Sequence, residues 1–194
     1  MKVLIACEYS GVVREAFADK GHYAMSCDLL PTDHPGSMDR PANHYQGDVF
    51  DILYEDWDLV IAHPPCTYLC NSGVRWLDRG NNVPRWNSMI DACDFFNAFK
   101  KVKCPYVIEN PIMHKYARER CGRQSQVIQP WMFGHGETKA TCLWIKDLPL
   151  LKPTNIVEGR EQRIWKMGPS KDRWKERSKT YEGIAKAMAD QWSI

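Results

Sequence analysis

The sequence predicts a doubly wound α/β protein, with a largely parallel sheet covered by helices on both faces. Three observations predict it. Lys2 to Cys7 is almost wholly apolar with little alternation, the pattern of a strand buried on both sides. A glycine turn, a helical stretch and a second strand follow it, making one parallel crossover unit. Two later apolar runs, in Asp58-Leu-Val-Ile-Ala-His-Pro-Pro-Cys66 and Tyr106-Val-Ile-Glu-Asn-Pro111, end in reactive side chains and proline.

Taken in order, Lys2 to Cys7 is the central strand and Glu8-Tyr9-Ser10-Gly11 a turn. Val12 to Lys20 is helical, and Gly21 stops it. Tyr23 to Cys27 is a second strand, with Asp28 at its end, seventeen positions after Gly11. A carboxylate there accepts hydrogen bonds from ribose hydroxyls. The turn holds one glycine, so the layout favours a cofactor with adenosine and no phosphates. Residues 31–46 read as loop. Gly47-Asp48-Val49 comes next, with Asp48 placed for an exocyclic amine such as that of adenine.

Leu59 to Ala62 is a buried strand that Pro64 and Pro65 terminate, because proline donates nothing to a ladder. Cys66 therefore stands just past a strand end, where open α/β sheets bind ligands. The strand Tyr106 to Ile108 delivers Glu109 and Asn110 in the same way. A thiol and a carboxylate at two strand tips suggest a covalent nucleophile with an acid beside it. Read singly, each motif is equally a small buried cysteine or a turn acid.

Asn71 to Pro84 is polar, carries Arg75, Trp76 and Arg79, and suits a lid. Ser88 with Asp91 starts a helix whose Met89, Cys93 and Phe96 face the core. After Met113 the chain is irregular and basic until Gln129-Pro-Trp-Met-Phe133. Thr141 to Ile145 is a late strand, Pro149 and Pro153 open a basic loop at about 152–180, and Tyr181 to Trp192 is the last helix. No repeat, low-complexity tract or linker divides residues 1–194, so one domain is expected.

With 44% hydrophobic and 26% charged residues the composition is that of a globular chain. No apolar run approaches a membrane span, and Met1-Lys2-Val3 leads straight into a strand, which points to a cytoplasmic location and eight reduced cysteines. Cys66, Cys70 and His63 invite a zinc reading, but no second close pair completes four ligands, so no metal is expected. Residues 1–60 hold eleven acids and four bases, whereas Arg160 to Lys179 holds eight bases and three acids, interleaved with Trp165 and Trp174. Bases mixed with aromatics suit a phosphate backbone and unstacked bases, and equally a solvated helix face.

With these residues in place, the chain resembles a small DNA (cytosine-5) methyltransferase. Pro64-Pro65-Cys66 is similar to the family's nucleophile motif and Glu109-Asn110-Pro111 to its Glu-Asn-Val/Pro motif. Ser10-Gly11 is similar to the methionine-side loop, Asp28 to the ribose acid, Gly47-Asp48 to the adenine contact, and Gly183-Ile184-Ala185 to the terminal motif. The resemblance implies a Rossmann-like methyltransferase sheet and S-adenosyl-L-methionine held by Tyr9, Ser10, Gly11, Val12, Asp28, Leu29, Asp48, Val49, Pro64 and Ile184. It implies catalysis by Cys66, Pro65, Glu109 and Asn110, with Glu109 as a protonated acid against the cytosine ring. Lys139 is the one base kept where the family has Gln-x-Arg-x-Arg.

The implied partner is DNA with the target cytosine flipped out, Arg75, Trp76 and Arg79 closing over it. Arg160, Arg163, Lys171, Arg173 and Lys175 would meet phosphates. The basic loop stands where the family carries a recognition domain, so low sequence selectivity is expected. The alternatives are the same chemistry on RNA or a free cytosine nucleotide, or a binding protein that keeps the fold without turnover. Nothing in the sequence chooses between a monomer and a homodimer.

Overall fold

Alternate residues of the first strand enter two different cores, and the rest of the fold follows from that. The computed structural model describes residues 1–77, 82–171 and 173–193. In β1 (Lys2–Ala6), Leu4 and Ala6 join one buried cluster while Val3 and Ile5 join another. The first cluster is completed by α2 (Val83–Ala98) and α3 (Lys115–Cys121), the second by α1 (Val12–Ala18) and α6 (Glu182–Trp192). A strand with both faces covered must be apolar throughout, which is why its sequence does not alternate.

Among the described residues the other strands are β2 (Tyr23–Asp28), β3 (His44–Gln46), β4 (Leu59–Ala62), β5 (Tyr106–Pro111), β6 (Gln126–Ile128) and β7 (Thr141–Lys146). They form one sheet in the order β3-β2-β1-β4-β5-β7-β6. The pairs from β3 to β5 are parallel, and β7 runs antiparallel between β5 and β6. This is the doubly wound, Rossmann-like α/β sheet that the sequence led us to expect. The carboxyl ends of β1, β2, β4 and β5 share one edge.

Several local expectations are corrected. The helix over Ser88 begins earlier, at Val83, because the Asn82 side chain accepts from Arg85 N at 3.3 Å and Pro84 suits a first turn. Residues 31–46 are not all loop, since His44–Gln46 adds a short edge strand to β2. The stretch after Met113 contains α3, capped by the His114 side chain at 3.1 Å from Ala117 N, and then β6. The start of the supposed lid is a 3₁₀ helix at Asn71–Trp76. The basic loop contains two short helices, α4 (Arg163–Lys166) and α5 (Arg173–Ser178). Arg79 lies outside the described residues.

Gly183 sits where α6 presses on the segment before β7: its N–H donates to His135 Nε2 at 3.0 Å, and a Cβ there would collide with the Phe133 carbonyl. We predict that Gly183→Ala lowers unfolding free energy by about 1–3 kcal/mol through overpacking, measured by urea titration. An unchanged midpoint would show that the Phe133 segment yields freely.

Candidate active site

The site is built from the ends of β4 and β5. Their parallel register pairs Val60 with Tyr106, Ile61 with Val107 and Ala62 with Ile108, so the residues leaving each strand emerge side by side. Asn110 Nδ2 donates to the Pro64 carbonyl at 2.9 Å, tying the two exits together. Cys66 then opens a tight turn in which its carbonyl accepts from Leu69 N and Cys70 N, both at 3.0 Å. That turn is fastened to the chain beyond β5, with Asn71 N donating to Ile112 O and His114 N to Leu69 O. The Cys66 loop is thus anchored at both ends. Further out, Arg75 packs over the exposed Trp76 ring at 4.8 Å.

Behind Cys66 lies a half-buried polar cluster. His63 Nδ1 is 2.8 Å from Glu109 Oε2, and Thr180 Oγ1 donates to the same oxygen at 3.4 Å. Burial pushes Glu109 upward, but the His63 hydrogen bond and the charges of His63 and Lys139 outweigh it and hold the carboxyl below its ordinary range. Burial likewise opposes the charged form of His63, and Glu109, helped by Glu8, raises it above its ordinary value. Both directions favour the charged pair, which runs against the expectation of a protonated Glu109.

Lys139 is half-buried, and desolvation lowers it while the charges of Glu109 and Cys66 pull the other way. Its Nζ donates to Lys179 O at 3.0 Å. Cys66 is raised by its hydrogen bond to Cys70 and by burial. Cys70 is lowered by that bond and by the Ser72 hydroxyl, 3.0 Å from its sulfur. The shared hydrogen bond thus favours the charged form on Cys70 over Cys66.

At the neighbouring tips, Cys7 takes a left-handed conformation with φ of 59°, unusual for a side-chain-bearing residue, and swings the chain into the loop before α1. Glu8 is buried and caps α1, accepting from Val13 N at 2.7 Å, Arg14 N at 3.2 Å and Ser10 Oγ at 3.1 Å. Gly11 has φ of 74°, and a Cβ on it would lie 2.6 Å from Arg14 Nη2, so the turn requires glycine. Asp28 accepts from Leu30 N at 3.0 Å, and burial raises its carboxyl. Asp48 accepts from Phe50 N at 3.0 Å. Burial and the charges of Asp28 and Asp48 push the Cys7 thiol up, so both carboxylates stand close to the β1 tip. Tyr9, Ser10 and Val49 are buried there, Val12 and Pro64 are part-buried and buried, and Leu29 is exposed. Ile184 packs in the core with α1 instead of at the tips.

The chain from 173 to 180 crosses this edge. Tyr9 Oη donates to Lys175 O and pairs with Ser178 Oγ, both at 3.0 Å, and its ring lies 5.8 Å from Trp174. Lys179 Nζ reaches Asp33 at 3.1 Å. The five basic residues read as phosphate contacts do not behave alike. Arg163 pairs with Glu137 at 3.0 Å, Arg160 packs on the Trp131 ring at 4.0 Å, and Lys175 sits between Tyr9 and Trp174. Lys171 is exposed, and Arg173 is part-buried with its Nε unpartnered among the described residues.

The sequence reading singled out Cys66, Glu109, Asn110 and Lys139, and these come together. It missed His63 as a partner of Glu109, although His63 stands directly before Pro-Pro-Cys, and it missed Glu8, Thr180 and Lys179. Among the described residues no helix is long and apolar enough to cross a membrane.

Fold and site define a doubly wound α/β protein with a thiol, a carboxylate, an imidazole and a lysine at the carboxyl edge of its sheet. No protein-family model and no curated protein matches the chain. Among solved structures it is similar to the Entamoeba histolytica methyltransferase EhMeth, with a TM-score of 0.43 and 12% identity over 82% of this chain and 56% of that one. This chain spans about half the length of that structure.

At neutral pH, iodoacetamide should modify Cys70 ahead of Cys66, read by peptide mass spectrometry. Cys70→Ser removes the neighbouring thiolate and should raise the Cys66 labelling rate about tenfold, one unit of acidity. Equal labelling of the two thiols in the unaltered protein would contradict the assignment.

Proposed function

We propose that the chain transfers a methyl group from S-adenosyl-L-methionine to carbon 5 of cytosine in DNA, through a covalent Cys66 adduct and with little dependence on flanking sequence. The observation that carries this reading is the juxtaposition of the Cys66 turn with Glu109 and Lys139. Cytosine carbon 5 is a poor nucleophile. A sulfur bond to carbon 6 pushes ring electron density onto carbon 5, and a positioned acid–base group must accommodate the charge on the nitrogen edge.

The residues present fit the cofactor. Asp28 and Asp48 near the β1 tip suit ribose hydroxyls and an adenine amine, and would repel a pyrophosphate. Arg14, the nearby cation, is engaged with Ser26 Oγ at 2.8 Å and Glu15 at 2.9 Å. When bound, the cofactor supplies an electrophilic methyl group on a sulfonium sulfur. Cys66 adds to carbon 6 and later leaves by elimination when the carbon 5 proton is removed. Glu109 accepts from the exocyclic amine, Asn110 keeps the two loops in register, and Lys139 is available to the ring oxygen.

Support for a nucleic-acid substrate comes from the basic stretch after Arg160, which carries Trp165 and Trp174 at 77% and 50% exposure. Such rings stack on bases while neighbouring cations meet phosphates. Arg163, already paired with Glu137, should contribute less than Lys171.

Cys66→Ser should abolish transfer of labelled methyl groups to DNA and leave cofactor affinity nearly intact. Asp28→Ala and Asp48→Ala should each weaken S-adenosyl-L-methionine roughly ten- to hundredfold in calorimetry, the loss of a charge-assisted hydrogen bond of about 1.5–3 kcal/mol. Unchanged affinity in both would remove the cofactor assignment. Bisulfite sequencing of randomised DNA should show methylation spread over many contexts. A single motif of four or more bases would contradict the low specificity, and turnover confined to RNA or a free nucleotide would move the substrate there.

A further inference from the structure

The two groups that the cytosine reading assigns to the base are already engaged. Lys139 Nζ donates to Lys179 O at 3.0 Å, and Glu109 Oε2 accepts from Thr180 Oγ1 at 3.4 Å. Both partners belong to adjacent residues of the segment that crosses the sheet edge between α5 and α6. A carbonyl thus faces the lysine, and a hydroxyl faces the carboxylate. Cytosine has the same polar pattern along one edge, where the ring oxygen accepts and the exocyclic amine donates. With the segment in place the Glu109 side chain is 13% exposed, which leaves little of it for an incoming ring. The same segment brings Arg177 close enough to Cys66 to act on its charge.

One end of this segment is fixed firmly and the other weakly. At the firm end, Tyr181 Oη donates to Glu137 Oε2 at 2.6 Å, and Tyr181 O accepts from Ile184 N and Ala185 N in the first turn of α6. Ile184, Ala185 and Met188 are buried and hold that helix to the core. At the other end, no residue of α5 is buried. There Tyr9 Oη donates to Lys175 O and pairs with Ser178 Oγ, both at 3.0 Å, and Lys179 Nζ meets Asp33 at 3.1 Å. Exposed ion pairs and single hydrogen bonds hold weakly, and a segment with few buried apolar contacts opens at little cost.

We propose that Lys179 and Thr180 stand in for cytosine in the resting protein, so that residues 173–180 close the base site and a target base enters by displacing them. The proposal rests on the cytosine reading above and deepens it by naming how that site is guarded. Closure makes the binding-competent form a minority, and apparent affinity falls by the competent fraction. It also selects among bases. A ring repays the displaced bonds only if it offers an acceptor to Lys139 and a donor to Glu109. Thymine carries a carbonyl where cytosine carries the amine, so it would set an acceptor against the carboxylate.

The test uses the whole protein with S-adenosyl-L-homocysteine and two fluorescent thymine oligonucleotides. One carries a single central cytosine, the other an abasic site at that position. The ratio of their affinities, read by anisotropy, isolates the contribution of the base from that of the phosphates. Thr180→Val removes the hydroxyl and keeps the shape, and Asp33→Asn loosens Lys179 from outside the catalytic and cofactor groups. Each should raise the ratio in favour of the cytosine strand about two- to tenfold, the worth of one net hydrogen bond. In methyl-transfer assays the gain should appear as a lower KM. If Thr180 instead positions Glu109 for catalysis, Thr180→Val would lower the ratio and kcat together, and the proposal is overturned. A ratio above one that neither variant moves overturns it as well and leaves the cytosine reading standing. A ratio of one in the unaltered protein and in both variants would remove the cytosine reading itself, and the guarding role with it.

Discussion

The parallel pairing of β4 with β5 is the constraint on which the site depends. Three paired residues bring the two strand ends level, and the Asn110 bond to the Pro64 carbonyl keeps the emerging loops from separating. A one-residue slip would invert every side chain of β5 and send Glu109 to the opposite face. Slippage is costly because both faces are buried: Val107 packs with α1 and α6, and Ile108 packs with α2 and α3. The core therefore sets the geometry of the polar cluster.

Electrostatics then divides that edge of the sheet. Glu8, Asp28 and Asp48 gather around the tips of β1 and β2, and His63, Lys139 and Arg177 gather around Glu109 and Cys66. The lopsided charge of the sequence is laid out in space in this way. The acid-rich first third supplies the carboxylates at the tips of β1 and β2. The base-rich last third supplies the chain that crosses the edge, fastened by Tyr9 to Lys175 and Ser178 and by Asp33 to Lys179. Half-buried ion pairs of this kind are expensive to desolvate, so this one adds little to stability.

Much of this was legible in the sequence, for a physical reason. Central parallel strands are apolar without alternation, and proline ends a ladder, so β1, β4 and β5 and the residues at their tips could be read directly. The edge strands β3 and β6 could not, because three residues carry too little pattern. Helix α2 was read late because Asn82 and Pro84 look like loop until the cap is seen, and α3 is capped by a histidine, an unusual choice. The His63–Glu109 pair spans 46 positions and the Tyr9–Lys175 bond spans 166. Such contacts are products of topology and leave no local trace. The surroundings of Glu109 were illegible for the same cause, since burial alone raises a carboxyl and only the fold places His63 and Lys139 near it.

The central claim is that Cys66 forms a bond to carbon 6 of a pyrimidine, and a mechanism-based trap tests it most directly. DNA carrying 5-fluorocytosine has no proton at carbon 5 to lose, so elimination is blocked once the methyl group has been transferred. The account predicts a denaturation-resistant protein–DNA complex that forms only with S-adenosyl-L-methionine present, with the nucleotide mass mapped to the peptide at Cys66. A complex mapped to Cys70, or no complex under conditions where methyl groups are still transferred, would contradict it.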